Sequence, residues 1–380
     1  MKTFSNPHII SRPFECTSGM VCRRLAFAVW LLFIGSMLSA QNGFVYHNAT
    51  EFLFVGRGFK DAPTYQRLPM RYKNTVRPEL WDISLRPTGM SVCFLSNAPK
   101  IAVKWKTGTE EKYPHVAASL VKGVDLYIKE KGAWYFAGLG NPRQPVYNES
   151  VLINGMDTTL KEFMLNLPMY ETVDSVYIGV AEGAVIKPPL QKVFSNTKPI
   201  VFYGTSIVQG ASAMRPGMAY PSLIARHLNI ETINLGFSGN GLLETELGKA
   251  MTEIDASCYV IDCGPNLTPE LAKSRTVPFI RLLSQNKPGV PILLVENISY
   301  PETKFDRNKK QYLDSINRMF KEAYGLLKKE GFQHLYYLPA AGLIGTDSEA
   351  TVDGTHLTDL GFMRIAGQIE TELKRILKTR

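Results

Sequence analysis

From residue 200 onward the chain alternates short apolar β-runs with helical stretches, and this alternation constrains the fold of the 380 residues more than any other feature. The β-runs cover residues 200–203, 232–234, 259–262, 292–296 and 335–337. Helical stretches lie near residues 219–228, 243–251, 271–284, 308–329 and 359–377. Strands joined through helices pack as right-handed crossovers, so five such units predict a parallel sheet covered on both faces. The expected class is α/β, a doubly wound five-stranded sheet.

Upstream the pattern differs. Short runs at 91–95, 101–105, 124–128, 133–137 and 175–180, punctuated by glycine, proline and asparagine, predict an all-β sandwich over residues 41–195. Pro188, Pro189 and Pro199 exclude a central strand or helix, so residues 186–199 read as the linker to a second domain at 196–380. Residues 1–40 read as a secretory signal peptide, with Arg23-Arg24, an apolar run over 25–34 and a small-residue exit ending at Ala40. Its charged region has an ordinary length if translation starts at Met20. The apolar run is shorter than the roughly 18 to 20 residues a membrane span needs. The expectation is an exported protein, periplasmic or extracellular, without stable membrane insertion.

Removing residues 1–40 lowers the net charge from +9 to +6, spread without a dense basic block, which argues against a nucleic-acid partner. Cys93, Cys258 and Cys263 then remain, too few for a disulfide framework, and the six histidines show no metal-ligand spacing.

Ligands of parallel sheets sit beyond the strand carboxyl ends, so polar residues there are the candidates for chemistry. Ser206 lies two residues past Gly204. The glycines around it do not form a phosphate-binding loop, since Ala211-Ser212 follow Gly210 where lysine would be needed. Nor do they form the G-x-S-x-G elbow, because Val208 takes the place of its second glycine. Read alone, Ser206 is more often a helix cap than a nucleophile. Three other loops fall at the same edge, carrying residues 234–241, Gly264-Pro265-Asn266 and Asp353-Gly354-Thr355-His356. Acyl transfer needs a nucleophile, a base, a group that orients the base, and donors for the oxyanion. His356 is the candidate base, because His334 sits at the amino end of a strand and His227 late in a helix. Asp353 is close enough to orient it, although a turn opened by Asp353 explains the same residues. Gly236 lets a backbone N–H approach a ligand, and Asn266 can supply an amide donor. Glu296, Arg215 and Asn240 are candidates for contacting substrate; for Glu296, as for Asp262, structural hydrogen bonding is the competing reading.

These four ordered blocks resemble those of the SGNH (GDSL-type) hydrolases across residues 199–380. The resemblance implies a flavodoxin-like sheet, Ser206 as nucleophile, His356 as base, Asp353 as its partner, and an oxyanion hole of the Ser206 and Gly236 N–H groups with the Asn266 side chain. It implies no metal or cofactor. Gly123-Val124-Asp125-Leu126-Tyr127 resembles the GxDLY motif of an accessory domain in bacterial SGNH esterases, which implies a jelly-roll-like sandwich. Two departures are Thr205 where the family has aspartate before the serine, and Leu267 where it has aspartate after the asparagine. The function implied is an exported serine esterase acting through an acyl-enzyme, with an acetylated glycan as substrate. A lysophospholipase or thioesterase of the same fold, and a catalytically silent glycan-binding surface protein, are the alternatives.

Overall fold

Short apolar strands build the N-terminal half into two antiparallel sheets in the computed structural model, which describes residues 43–108, 113, 115–195 and 198–378. One sheet has the order β1 (Phe44–Asn48), β9 (Val173–Ala181), β4 (Lys100–Thr107), β7 (Tyr147–Asn154). The other runs β10 (Ile186–Lys187), β3 (Ser91–Ser96), β8 (Lys161–Asn166), β5 (Val124–Glu130), β6 (Ala133–Gly140), with β2 (Leu53–Val55) paired to β3. Ile101, Val103 and Trp105 of β4 share a buried cluster with Phe94, Leu126 and Phe163, while Lys104 and Lys106 reach outward to Glu149 and Asp174. This is the period of two expected of strands with one buried face. Strand β7 carried no clear sequence signal because it lies at a sheet edge, mostly exposed, and is rich in polar residues. The expected linker begins later than residue 186, since Ile186 and Lys187 pair with Ser96 and Leu95. Two short helices, α1 (Pro78–Ser84) and α2 (Ala118–Val121), interrupt the strands. The leader expected over residues 1–40 lies outside the described residues.

The third sheet is parallel throughout, in the order β12 (Thr232–Gly236), β11 (Ile200–Gly204), β13 (Cys258–Asp262), β14 (Ile292–Val295), β15 (Leu335–Leu338). The helices between and after these strands are α3 (Ser206–Gln209), α4 (Tyr220–Leu228), α5 (Thr245–Thr252), α6 (Pro269–Asn286), α7 (Arg307–Lys329) and α8 (Asp359–Lys378). Alternate strand residues enter opposite cores. Phe202, Val260 and Leu293 cluster with Leu223 of α4 and Phe362 and Ile365 of α8. Tyr203, Ile261 and Leu294 cluster with Phe279 of α6 and Phe320 of α7. Because both faces are buried, the strands read as continuous apolar runs.

Neither core is closed by the C-terminal half alone. Phe59, Leu68, Leu80 and Trp81 belong to the second of these clusters, and Leu120, Val121, Met169 and Tyr170 to the first. Residues 44–380 accordingly form one compact unit. Among the described residues no helix is long and apolar enough to cross a membrane.

The strand order reverses direction at β11, and such a switch point opens a crevice at the strand carboxyl ends. Strand β11 ends at Gly204, where a β-carbon would lie 2.1 Å from the Asp262 carbonyl oxygen and 2.3 Å from Val208 Cγ2. Only glycine lets the chain turn this tightly against β13, and the turn delivers the next two residues to the crevice.

Candidate active site

Thr205 caps α3, its hydroxyl accepting the Ile207 N–H at 3.3 Å, so the residue that stands in place of the family's aspartate serves as a helix cap. Ser206 then occupies the first helical position, 6 % exposed. Its N–H belongs to the helix end that has no intrahelical acceptor. Ser206 Oγ lies 3.1 Å from His356 Nε2, and His356 Nδ1 lies 2.8 Å from Asp353 Oδ2.

The loop that carries His356 is closed on itself. Thr351 and Leu357 form an isolated bridge, and the Val352 N–H donates to the His356 carbonyl at 2.8 Å. Within it Asp353 Oδ1 accepts the N–H groups of Thr355 at 3.0 Å and His356 at 2.8 Å, leaving Oδ2 for the ring. Partial burial pushes the Asp353 carboxyl up, but the hydrogen bonds from the His356 ring and the two backbone N–H groups outweigh it and hold it at about 2. An ionised carboxylate at Nδ1 places the ring proton there, so Nε2 is left to accept from the Ser206 hydroxyl.

The expected oxyanion donors are placed unevenly. Gly236 N–H donates to Asn234 Oδ1 at 2.8 Å, and its carbonyl accepts from Arg67, so this glycine is held within the frame of β12 instead of facing Ser206. The next turn has a free donor. Asn240 N–H closes it on the Phe237 carbonyl at 2.9 Å, and Ser238 N–H donates to Gln209 Oε1 of α3 at 2.8 Å. Gly239 between them has φ +69° with open space beside its α-carbon, and its N–H has no acceptor among the described residues. Asn266 donates one Nδ2 hydrogen to the Asn240 carbonyl at 2.7 Å and keeps the other.

The three residues expected to contact substrate are instead occupied by structure. Asn240, 3 % exposed, accepts from Arg77 and donates to the Ser238 carbonyl at 2.8 Å. Glu296 accepts from the Tyr337 hydroxyl and, at 2.7 Å, from the Ala340 N–H. Arg215 donates to Asp125 at 2.7 Å and to the Tyr127 hydroxyl, and its guanidinium lies 4.1 Å from the centre of the Phe136 ring. Nearness to a strand end does not fix which way a side chain faces, and here long-range partners claim all three.

Other residues reach the site from far upstream with no local signal. Buried Arg67 donates to the Gly236 carbonyl and, at 2.7 Å, to the Ile83 carbonyl, and burial pulls its guanidinium down to about 9. The Tyr170 hydroxyl donates to the Ser206 carbonyl at 3.4 Å. His115 lies against His356, ring centres 4.6 Å apart and planes 20° from parallel. Ligand atoms of His115, Asp353 and His356 fall within 4.8 Å of one another, the spacing of a metal site. Both nitrogens of His356 are already engaged and nearly parallel rings aim their nitrogens along parallel planes, so an ion held there would break the hydrogen bonds to Ser206 and Asp353.

Residues 197–374 match the GDSL-like lipase/acylhydrolase family, and residues 44–186 match GxDLY, described as the N-terminus of SGNH-hydrolase-type esterases. Among solved structures, a Bacteroides ovatus protein described as a GDSL-like lipase is 36% identical, with 88% of this chain and 98% of that one covered at a TM-score of 0.85. The salicylyl-acyltransferase SsfX3 of a tetracycline biosynthetic pathway is 17% identical, covering 89% and 99% at 0.73. A family two carbohydrate esterase from Clostridium thermocellum, in complex with cellohexaose, is 15% identical, covering 77% and 93% at 0.54. The last two likenesses speak for the fold. No protein of curated function matches the chain.

Proposed function

We propose that this chain, which belongs to the GDSL-like lipase/acylhydrolase family and is a hydrolase of ester bonds, acts through a covalent acyl intermediate on Ser206. The observation that carries this reading is the unbroken hydrogen-bonded chain from Ser206 through His356 to Asp353. Ser206 Oγ attacks the ester carbonyl carbon while its proton passes to His356 Nε2. The oxyanion meets the N–H groups of Ser206 and Gly239 and the free Nδ2 hydrogen of Asn266. Collapse breaks the ester bond, and His356 gives its proton to the departing alcohol. Water then attacks the acyl-serine, again losing a proton to His356, and the acid leaves as Ser206 is restored. No step in this sequence calls on a metal or cofactor.

The substrate reading is a short acyl group, acetyl in the first instance, on a carbohydrate outside the cytoplasm. The fold shared with an esterase holding cellohexaose supports this substrate class. Export rests on the leader-like residues 1–40.

Hydrolysis of p-nitrophenyl esters of increasing chain length by the wild type and Ser206→Ala tests the proposal. Acetate is expected to be the preferred chain, with turnover lowered on the order of 10^4-fold in the variant. Full activity of Ser206→Ala would remove the nucleophile assignment, and preference for long chains would move the substrate to lipids.

A further inference from the structure

We propose that His115, supplied by the β-sandwich half, is a positioning residue that holds the His356 ring in the rotation that aims Nε2 at Ser206. The inference rests on the reading of Ser206 and His356 as nucleophile and base. An imidazole has a broad torsion about its ring bond, so one hydrogen bond at Nδ1 does not by itself fix where Nε2 points. The Asp353 side chain that makes this bond is 36% exposed and lies on a surface loop. A second ring laid flat on the imidazole at 4.6 Å restricts the same torsion.

His115 and the helix that follows His356 are also tied to a common piece of chain, residues 212–217. Ser212 Oγ donates to the His115 carbonyl at 2.8 Å. Ser119 Oγ of α2 donates to the Met214 carbonyl at 2.5 Å, while the Met214 N–H donates to Asp359 Oδ1 at 3.0 Å, on the first residue of α8. Asp125 of the GxDLY motif, fully buried, accepts from Arg215 at 2.7 Å, from the Gly217 N–H at 3.0 Å and from Asn166 Nδ2 at 2.7 Å. The loop is gripped by the β-sandwich on one side and by the helix that follows His356 on the other. The motif therefore acts at a distance, by holding the segment that ties His115 to the start of α8, three residues after His356.

The test compares kcat and KM for p-nitrophenyl acetate, and the rate at which a fluorophosphonate probe labels the serine, in the wild type, His115→Ala, His115→Asn, His115→Phe and Ser206→Ala. Loss of the stack in the Ala and Asn variants is expected to lower kcat and labelling by about tenfold. KM should change less than about twofold, since a positioning residue acts on the chemical step. His115→Phe, which keeps a flat ring, is expected to recover most of the loss, and His115→Asn carries the test if the alanine variant does not fold. Wild-type kcat in His115→Ala or His115→Asn beside an inactive Ser206→Ala overturns this inference alone. A Phe variant as slow as Asn overturns the stacking argument, and a change confined to KM makes His115 a substrate contact. Activity in Ser206→Ala overturns the reading beneath it.

Discussion

At the scale of single residues, two buried or half-buried carboxylates show how environment separates roles. Asp353 is held at about 2 by three N–H donors that outweigh its burial, so its folded-state pKa lies below the ordinary 3.8. The support this lends is present above about pH 4 and is lost as pH falls through 2. Asp262 sits at the end of β13, 2 % exposed, with the Tyr220 hydroxyl at 2.9 Å on one oxygen. Burial pushes it up to about 6 from the ordinary aspartate value of 3.8. Here the folded state binds the proton more tightly, so between about pH 4 and 6 stability falls as pH rises. The rise corresponds to about 3 kcal/mol. Urea unfolding of the wild type and Asp262→Asn between pH 4 and 7 is expected to show the variant gaining on the wild type across that window. Parallel pH profiles for the two proteins would refute the assignment.

At the scale of elements, the strand–turn–helix units explain why the turn after Gly204 and the Asp353–His356 loop were legible in local sequence, while the pairing of Ser206 with His356 across 150 residues was not. An apolar run that stops at Gly204 and a loop that bonds its own backbone are both written in adjacent residues. The loop after β12 is different. The sequence points to Gly236, and the two glycines of this loop separate only because Asn234 and Arg67 claim the N–H and carbonyl of Gly236, while Gln209 and Arg77 set the turn around Gly239. The GxDLY strand belongs here too. Asp125→Ala leaves Arg215, the Gly217 N–H and Asn166 without their shared acceptor, and breaking a buried pair of this kind costs about 3 to 5 kcal/mol. A midpoint in urea close to wild type for Asp125→Ala would show that the pair is compensated.

At the scale of the whole molecule, the boundary drawn at the prolines does not divide the core. Leu68, Leu80 and Trp81 pack in the cluster of β11, β13 and α6, and each such side chain contributes about 1.5 to 3 kcal/mol when buried. A fragment of residues 196–380 would expose that face, lose Arg67 and Arg77 from the loop after β12, and lose His115 from His356. It is expected to be poorly soluble, without a cooperative thermal transition and without esterase activity. A soluble fragment that unfolds cooperatively at wild-type turnover would refute this.

Taken by itself, the sequence determined what depends on neighbouring residues: the period of the strands and helices, hence an α/β sheet behind a β-sandwich, the turn that carries Ser206, and the short-range pairing of Asp353 with His356. The approach of His356 to Ser206, 150 residues away, belongs to the tertiary structure. The sequence placed Asn240, Glu296 and Arg215 near the site, but which way each faces was decided only by the tertiary structure. The same holds for Gly239, Arg67, Tyr170 and His115. Their positions follow from contacts between segments far apart in the chain, where packing and the need to satisfy buried polar groups select one partner among many, and no local pattern records that choice.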